Sequence, residues 1–153
     1  MRSLGPPGGP GRVPRGHPSG VDPRSRVSSK AVRDQVAAIL KADDVSATIE
    51  WYSQIGFQVR GRFPEEEPNW CELARDGLVL QFLGGETPWP GPPAFTGTIY
   101  VYPDSVSGVY EEIKDRVAPA WGPEVREWGT RELGLQDPNG YFLTFTEPAE
   151  PPR

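Results

Sequence analysis

From residue 36 onwards, the pattern of apolar and polar residues predicts a strand, a helix and three more strands. The predicted elements are a strand at 36–40, a helix from Val45 to Gly56, and strands at 57–63, 70–75 and 78–83. Asp43–Asp44 precede the helix, where carboxylates cap unpaired backbone N–H groups. Alternation in the second predicted strand indicates that Phe57, Val59 and Phe63 share a half-buried side. Asp76-Gly77 predicts a tight hairpin between the last two strands.

The same order of elements returns after a Gly/Pro-rich connector at 84–93. The second set is a strand at 98–102, an apolar helical stripe from Val106 to Val117, a strand-like segment at 128–136 and a strand at 141–146. Residues 76–82 resemble residues 139–145, which lie 63 positions later. These similarities in the same order predict an α+β fold of two tandem βαβββ units. Trp89 and Trp121 then fall in connectors, where they would cover a sheet edge or a subunit seam.

Charge divides the chain into a basic leader and an acidic body. Residues 1–33 contain six Pro, six Gly, seven basic residues and one carboxylate, for a net charge of +6. Residues 34–153 contain nine basic and 20 acidic residues, for −11. The leader has too few large apolar side chains to offset its ordering entropy, so we expect it to be disordered. An over-extended reading frame, a flexible tail, a transit peptide and a tail folded onto the acidic body remain open. We expect one domain at 34–148 and a short tail at 149–153.

Few residues of the body can carry common enzyme chemistry. The only histidine, His17, lies in the leader, so the body has no imidazole for metal binding or proton transfer. The single cysteine, Cys71, fits a reducing compartment such as the cytoplasm, and strand alternation predicts that it is a buried hydrophobe. No apolar run is long enough to cross a membrane, and an acidic surface disfavours nucleic acid. We therefore expect neither a membrane nor a nucleic-acid partner.

Two motifs carry a resemblance to a known family. Residues 44–52 followed by Ile55-Gly56-Phe57 are similar to its Asp-led helix, and Asp137-Pro138-Asn139-Gly140 is similar to its terminal hairpin turn. The body thus resembles the vicinal oxygen chelate superfamily, which includes glyoxalase I, extradiol dioxygenases, and fosfomycin and bleomycin resistance proteins. The resemblance implies metal-ligand positions near Ala37, Gln81, Thr96 or Thr98, and Thr144. Alanine cannot bind a metal, and neutral Gln and Thr are poor ligands, so we expect no metal and no other cofactor.

Within this superfamily, the chain is most similar to the metal-free bleomycin resistance proteins. Residues 63–70 resemble their aromatic–acidic–aromatic loop, Tyr100-Val101-Tyr102 resembles their Trp-Val-Trp strand, and residues 128–132 resemble their Trp-Gly-Arg-Glu motif with one insertion. The resemblance implies an acidic cytosolic homodimer that sequesters a cationic glycopeptide drug in clefts between subunits. Aromatic residues at the positions of Trp70 and Trp128 would flank the flat bithiazole of the drug. The implied function is binding, without a catalytic residue.

Strand alternation places the candidate ligand-binding residues on the side of the sheets away from the helices. These residues are Phe63, Trp70, Glu72, Gln81, Tyr100, Tyr102, Trp128, Glu132 and Thr144. Aromatic walls with carboxylates suit a flat, positively charged organic ligand. Stacking adds about 0.5–1.5 kcal/mol per pair, and cation–π contacts add about 0.5–2 kcal/mol. The sequence therefore predicts sequestration of a cationic aromatic compound such as bleomycin.

Other interpretations of the same residues stay open. Tyr100 and Tyr102 suit packing, in the core or in a dimer interface, as well as they suit contact with a ligand. Residues 65–67 suit a solvated loop as well as a ligand contact. Glu72 and Glu132 would be a catalytic carboxylate pair if the chain were a glyoxalase- or dioxygenase-like enzyme. A binding module for a different metabolite is the third interpretation.

Overall fold

A computed structural model describes residues 36–152, and the predicted leader lies outside these residues. The elements are β1 (Ala37–Lys41), α1 (Val45–Gln54), β2 (Gln58–Phe63), β3 (Trp70–Arg75), β4 (Leu78–Leu83), β5 (Thr98–Val101), α2 (Val106–Ile113), β6 (Trp121–Val125), β7 (Thr130–Gln136) and β8 (Phe142–Pro148). We call β1 to β4 with α1 module 1, and β5 to β8 with α2 module 2. Each module has the order βαβββ, which confirms the predicted α+β fold of two tandem units.

Each module forms one four-stranded sheet, and the two sheets have the same arrangement. The strand orders are β1-β4-β3-β2 and β5-β8-β7-β6. The first and last strands of each module pair in parallel, because a helix carries the chain across the sheet between them. Ile39 pairs with Gln81 in the first sheet, and Tyr100 pairs with Thr144 at the equivalent register of the second. Equivalent positions of the two modules can therefore be compared directly.

Both helices begin at a capping residue. The Asp44 side chain accepts a hydrogen bond from the backbone N–H three residues later (2.9 Å), and Ser105 does the same in α2 (3.0 Å). Helix α2 ends at Ile113, one turn before the end of the predicted stripe, and Val117 is buried in the turn that follows. No helix in the described part of the chain has the length and hydropathy needed to cross a membrane.

Strand β6 differs from the sequence-based prediction. The prediction that Trp121 lies in a connector is wrong, because this residue begins β6. Gly122-Pro123 interrupts the alternation that identifies a strand, and the pairing with β7 is irregular between Trp121 and Glu124. The strand-like segment predicted at 128–136 begins only at Thr130, after the hairpin turn.

Strand β2 is more exposed than its alternation predicts. It lies at the edge of its sheet, and a bulge between Val59 and Gly61 shifts its register against β3. Val59 is 42% exposed and Phe63 is 70% exposed, whereas Phe57, just before the strand, is buried. The predicted half-buried side is therefore correct for Phe57 and wrong for the other two residues. An edge strand has one neighbour only, and the bulge changes which side its residues present.

The inner faces of both sheets pack into one hydrophobic core. Its buried strand residues include Cys71, Leu73, Leu80 and Phe82 in module 1, and Leu133, Leu135, Leu143 and Phe145 in module 2. The predicted burial of Cys71 is confirmed. Burial raises the pKa of the Cys71 thiol to about 11, so little reactive thiolate forms at neutral pH.

The turn after β7 connects the two modules on their inner side. Asp137 accepts a hydrogen bond from the Tyr52 hydroxyl (3.0 Å), and the Tyr141 hydroxyl donates to the backbone carbonyl of Lys41 (2.7 Å). Burial raises the pKa of both Asp137 and Tyr52. Because these contacts and the shared core hold the inner faces together, neither sheet covers the outer face of the other.

Candidate functional site

The candidate ligand-binding residues lie on the outer faces of the two sheets, opposite the core. Outer face 1, on module 1, carries Phe63, Trp70, Glu72 and Gln81. Outer face 2, on module 2, carries Tyr100, Glu132 and Thr144, with Tyr102 and Trp128 at its ends. The predicted residues therefore form two groups on two surfaces of the chain, rather than one.

A chain of hydrogen bonds orients the polar side chains of outer face 1. Trp70 Nε1 donates to Gln81 Oε1 (3.3 Å), and Gln81 Nε2 donates to Glu72 Oε2 (2.9 Å). The Trp70 ring lies beside Gly61, where an added Cβ would come within 3.2 Å of the ring. Glu72 Oε1 accepts no hydrogen bond from any residue in 36–152. This carboxylate is partly exposed and can therefore accept bonds from a ligand.

Outer face 2 orients its tryptophan with a buried carboxylate. Glu132 is 4% exposed, and its Oε1 accepts hydrogen bonds from Trp128 Nε1 (3.1 Å) and from the Thr130 hydroxyl (3.0 Å). Arg126 Nε lies 3.5 Å from Glu132 Oε2, an electrostatic contact without hydrogen-bond geometry. Glu132 thus fixes the edge of the Trp128 ring, which itself is 61% exposed.

Trp121 is a residue of outer face 2 that strand alternation does not identify. Its ring lies 5.5 Å from the Phe142 ring, measured between centroids. It also lies over Gly134 of β7, where an added Cβ would come within 2.0 Å of the indole. A glycine between the buried Leu133 and Leu135 is a sequence signal for such a close approach. Trp121 therefore extends the aromatic surface beyond the residues that strand alternation predicts.

Tyr100 and Tyr102 lie outside the core of the chain. They are 44% and 69% exposed, and their ring centroids are 6.2 Å apart. Strand β5, which contains Tyr100, is at the edge of its sheet. The interpretation that these tyrosines pack in the core of their own chain is therefore wrong. Contact with a ligand or with a partner subunit stays a prediction.

Three cavities of the described chain lie away from the predicted ligand-binding residues. Their volumes are about 410 Å³ along β2, about 340 Å³ beside Arg75 and Glu112, and about 260 Å³ beneath Trp89 and Tyr141. None of the nine predicted residues lines any of these three. On the outer faces Phe63, Tyr102 and Trp128 are exposed, whereas the predicted residues Glu132 and Thr144 are buried at 4% and 1% exposure. A ligand that is to be enclosed by the exposed aromatic side chains needs a second surface over it.

The residues at the implied metal-ligand positions do not fit a divalent metal. Ala37 has no donor atom, and the amide of Gln81 is bonded to Trp70 and Glu72. The hydroxyls of Thr98 and Thr144 lie 2.6 Å apart and bond to each other. Neutral amides and hydroxyls hold Zn²⁺, Fe²⁺ or Mn²⁺ poorly. Within residues 36–152, no group of three or more His, Cys, Asp or Glu side chains is placed to hold a metal ion.

Several solved structures have the same fold. A bleomycin resistance determinant encoded on the transposon Tn5 is 24% identical, with a TM-score of 0.61 over 75% of this chain and 98% of that chain. A bleomycin-binding protein complexed with bleomycin is 25% identical, with a TM-score of 0.58 over 74% of this chain and 98% of that chain. TioX from Micromonospora sp. ML1 is 17% identical, with a TM-score of 0.63 over 74% and 97%.

The family assignment rests on most of the chain. A search of curated proteins gives no significant match. In contrast, residues 34–145 match a family described as the Glyoxalase/Bleomycin resistance protein/Dioxygenase superfamily. The matched residues include both helices and reach into the last strand, so they cover both modules. The chain therefore belongs to the glyoxalase/bleomycin resistance protein/dioxygenase superfamily.

Proposed function

We propose that this protein is a homodimer that sequesters a flat, cationic aromatic compound of the bleomycin type. It acts in the cytoplasm by binding alone, without metal, cofactor or chemical conversion. The observation that carries the proposal is that each outer face presents a tryptophan whose indole N–H is held in a hydrogen-bonded group that contains a carboxylate. The solved bleomycin-binding protein of the same fold supports the choice of ligand class.

The chemistry of the outer faces suits such a ligand. Trp70 and Trp128 offer flat surfaces for stacking, and the hydrogen bonds at their indole N–H groups limit ring rotation before a ligand arrives. Glu72 supplies a carboxylate oxygen for a positively charged group. Residues 36–152 contain eight basic and 19 acidic residues, a net charge of −11, which attracts cations from solution.

Two subunits would close a cleft that one chain leaves open. If outer face 1 of one subunit faces outer face 2 of its partner, twofold symmetry produces two equivalent clefts. Each cleft then contains Trp70 from one chain and Trp128 from the other. The exposed side chains of Ile39 (43%) and Tyr100 (44%) support this arrangement, since they leave apolar surface for a partner to cover.

The carboxylates are arranged for binding rather than for acid–base catalysis. Glu72 and Glu132 lie on different outer faces, so they would share a cleft only across the proposed dimer, where Glu132 stays bonded within its own chain. The Glu132 carboxylate is buried and bonded to Trp128 and Thr130. Cys71 is buried in the core, away from both outer faces. These placements support sequestration.

Fluorescence titration with metal-free bleomycin tests the proposal. We expect saturable quenching at micromolar drug, loss of quenching in Trp128→Ala, and wild-type affinity in the control Trp89→Ala. Trp89 is a suitable control because it is partly exposed, at 38%, and lies in the connector. Absence of quenching in the wild type would overturn drug binding. Stoichiometric, activity-linked Zn, Fe or Mn in the purified protein would instead identify an enzyme.

A further inference from the structure

Arg126 places a positive charge against the exposed tryptophan of outer face 2. Its guanidinium carbon lies 5.6 Å from the centroid of the Trp128 ring, within the range of a cation–π contact. The β6–β7 hairpin fixes the backbone at this position. Arg126 N donates to Thr130 O (2.7 Å), and Gly129 N donates to Arg126 O (3.1 Å). One face of the Trp128 ring therefore already holds a cation.

The same guanidinium also contacts the two nearest carboxylates. Arg126 Nη1 lies 2.9 Å from Glu124 Oε1, and Arg126 Nε lies 3.5 Å from Glu132 Oε2. The other oxygen of Glu132 is bonded to Trp128 and Thr130. A cation that approaches Trp128 thus finds the ring and the adjacent carboxylates already in contact with Arg126.

Outer face 1 differs in this respect. In the described part of the chain, no guanidinium or ammonium group lies over Trp70. The indole N–H of Trp70 donates a hydrogen bond to the neutral amide of Gln81. Glu72 Oε1 accepts no hydrogen bond from the described residues. A positively charged group that arrives at Trp70 can therefore gain both a ring face and a carboxylate oxygen.

We propose that Arg126 is a specificity-determining residue that makes Trp128 a platform for an uncharged planar ring. The positive group of the ligand is then directed to Trp70 and Glu72. This inference rests on the proposed function and narrows its ligand class to a neutral flat ring joined to a separate cationic group. A ligand whose charge is spread over the stacking ring is disfavoured at Trp128, because two cations would share one indole.

Two ligands of similar shape, one uncharged and one positively charged, test this inference. Acridine, at a pH where it is uncharged, and N-methylacridinium, which is permanently positive, are titrated into the full chain by calorimetry. In a Glu72→Gln protein, where outer face 1 has no free carboxylate for the cation, we expect acridine to bind at least as tightly as N-methylacridinium. Arg126→Gln should shift the ratio of dissociation constants about tenfold towards the cation, and Arg126→Lys should keep the wild-type ratio.

Arg131→Gln is the matched control, since it removes the same charge from a residue that contacts Ser107 and Glu147 instead of Trp128. An equal shift in both glutamine variants would overturn the inference. So would a Glu72→Gln protein that binds N-methylacridinium more than about tenfold tighter than acridine. If bleomycin binds and the ratio does not respond to Arg126→Gln, the inference alone fails. If neither bleomycin nor either acridine binds, the proposed function fails as well.

Discussion

Outer face 1 and outer face 2 have the same strand order, but they hold their tryptophans differently. On outer face 1, Trp70 donates to the neutral amide of Gln81, and the Glu72 carboxylate follows one hydrogen bond later. On outer face 2, Trp128 donates directly to a buried carboxylate, and a guanidinium lies over its ring. The comparison indicates that the repeated fold determines where an aromatic surface can form. The polar neighbours determine which charge that surface accepts.

The largest expected effect comes from removal of the two tryptophans. Trp128→Ala should lower bleomycin affinity by about 2–4 kcal/mol, as for an aromatic binding hot spot. The free energy of unfolding should fall by less than about 1 kcal/mol, because the ring is 61% exposed. Trp70→Ala should lower affinity and also the free energy of unfolding by about 1–2 kcal/mol, because Trp70 is half-buried. Fluorescence titration and urea unfolding measure both quantities. Equal losses of stability would contradict the distinction between the faces.

Two glycines that lie under tryptophans differ in how much room they leave. Gly134→Ala should lower the free energy of unfolding by about 1–3 kcal/mol, because its Cβ would lie 2.0 Å from the Trp121 indole. Gly61→Ala should cost less than about 1 kcal/mol, because its Cβ would lie 3.2 Å from Trp70 and a small shift relieves the contact. Urea unfolding of both variants provides the measurement. A larger loss in Gly61→Ala would contradict the closer approach of Trp121 to Gly134 than of Trp70 to Gly61.

Substitution of Glu132 should mainly lower the stability of the fold, whereas substitution of Glu72 should mainly weaken ligand binding. Glu132→Gln should lower the free energy of unfolding by about 1–2 kcal/mol, because it removes a buried charge that faces Arg126. Glu72→Gln should leave unfolding unchanged and weaken a cationic ligand by about 1 kcal/mol, because the carboxylate is partly exposed. The loss of affinity should shrink at high salt. A Glu72→Gln variant with unaltered affinity would show that outer face 1 does not bind the positive group of the ligand.

The smallest expected effect is that of Tyr102→Ser on the stability of a single chain. Tyr102 is 69% exposed, so unfolding at concentrations that favour monomers should change by less than about 0.5 kcal/mol. Sedimentation at rising concentration shows whether the same change weakens dimerisation. A large loss of monomer stability would mean that Tyr102 packs within its own chain.

Much of the fold could be predicted because its signals are local. The bounds of β3 and β4 agree with the predicted 70–75 and 78–83, since apolar runs flank an unambiguous turn at Asp76-Gly77. Strand β6 could not be predicted in this way. Pairing with β7 holds this strand in the sheet, whereas Gly122-Pro123 interrupts the alternation of apolar and polar residues. Tertiary pairing, which a linear pattern does not contain, forms this strand.

The sequence predicts which side of each sheet the candidate residues occupy, but it does not predict their burial or their side-chain contacts. Alternation correctly placed Trp70 and Glu72 on the outer side of β3. Alternation did not show that Glu132, on the outer side of β7, is buried. Nor did it show that this carboxylate accepts a hydrogen bond from Trp128. Arg126 and Trp121 carry no motif, and their proximity to outer face 2 depends on the β6–β7 hairpin. The burial of a side chain and its contacts with distant residues are set by the folded chain.

In the proposed homodimer, each ligand lies between Trp70 of one subunit and Trp128 of the other. The most direct test lets Trp70→Ala and Trp128→Ala subunits exchange, since each variant alone has two defective clefts. In the mixed dimer, one cleft lacks both tryptophans and the other has both. Random pairing therefore restores about a quarter of the wild-type clefts. After mixing, we expect tight bleomycin binding at about a quarter of the wild-type capacity. Binding no tighter than that of either variant alone would contradict it.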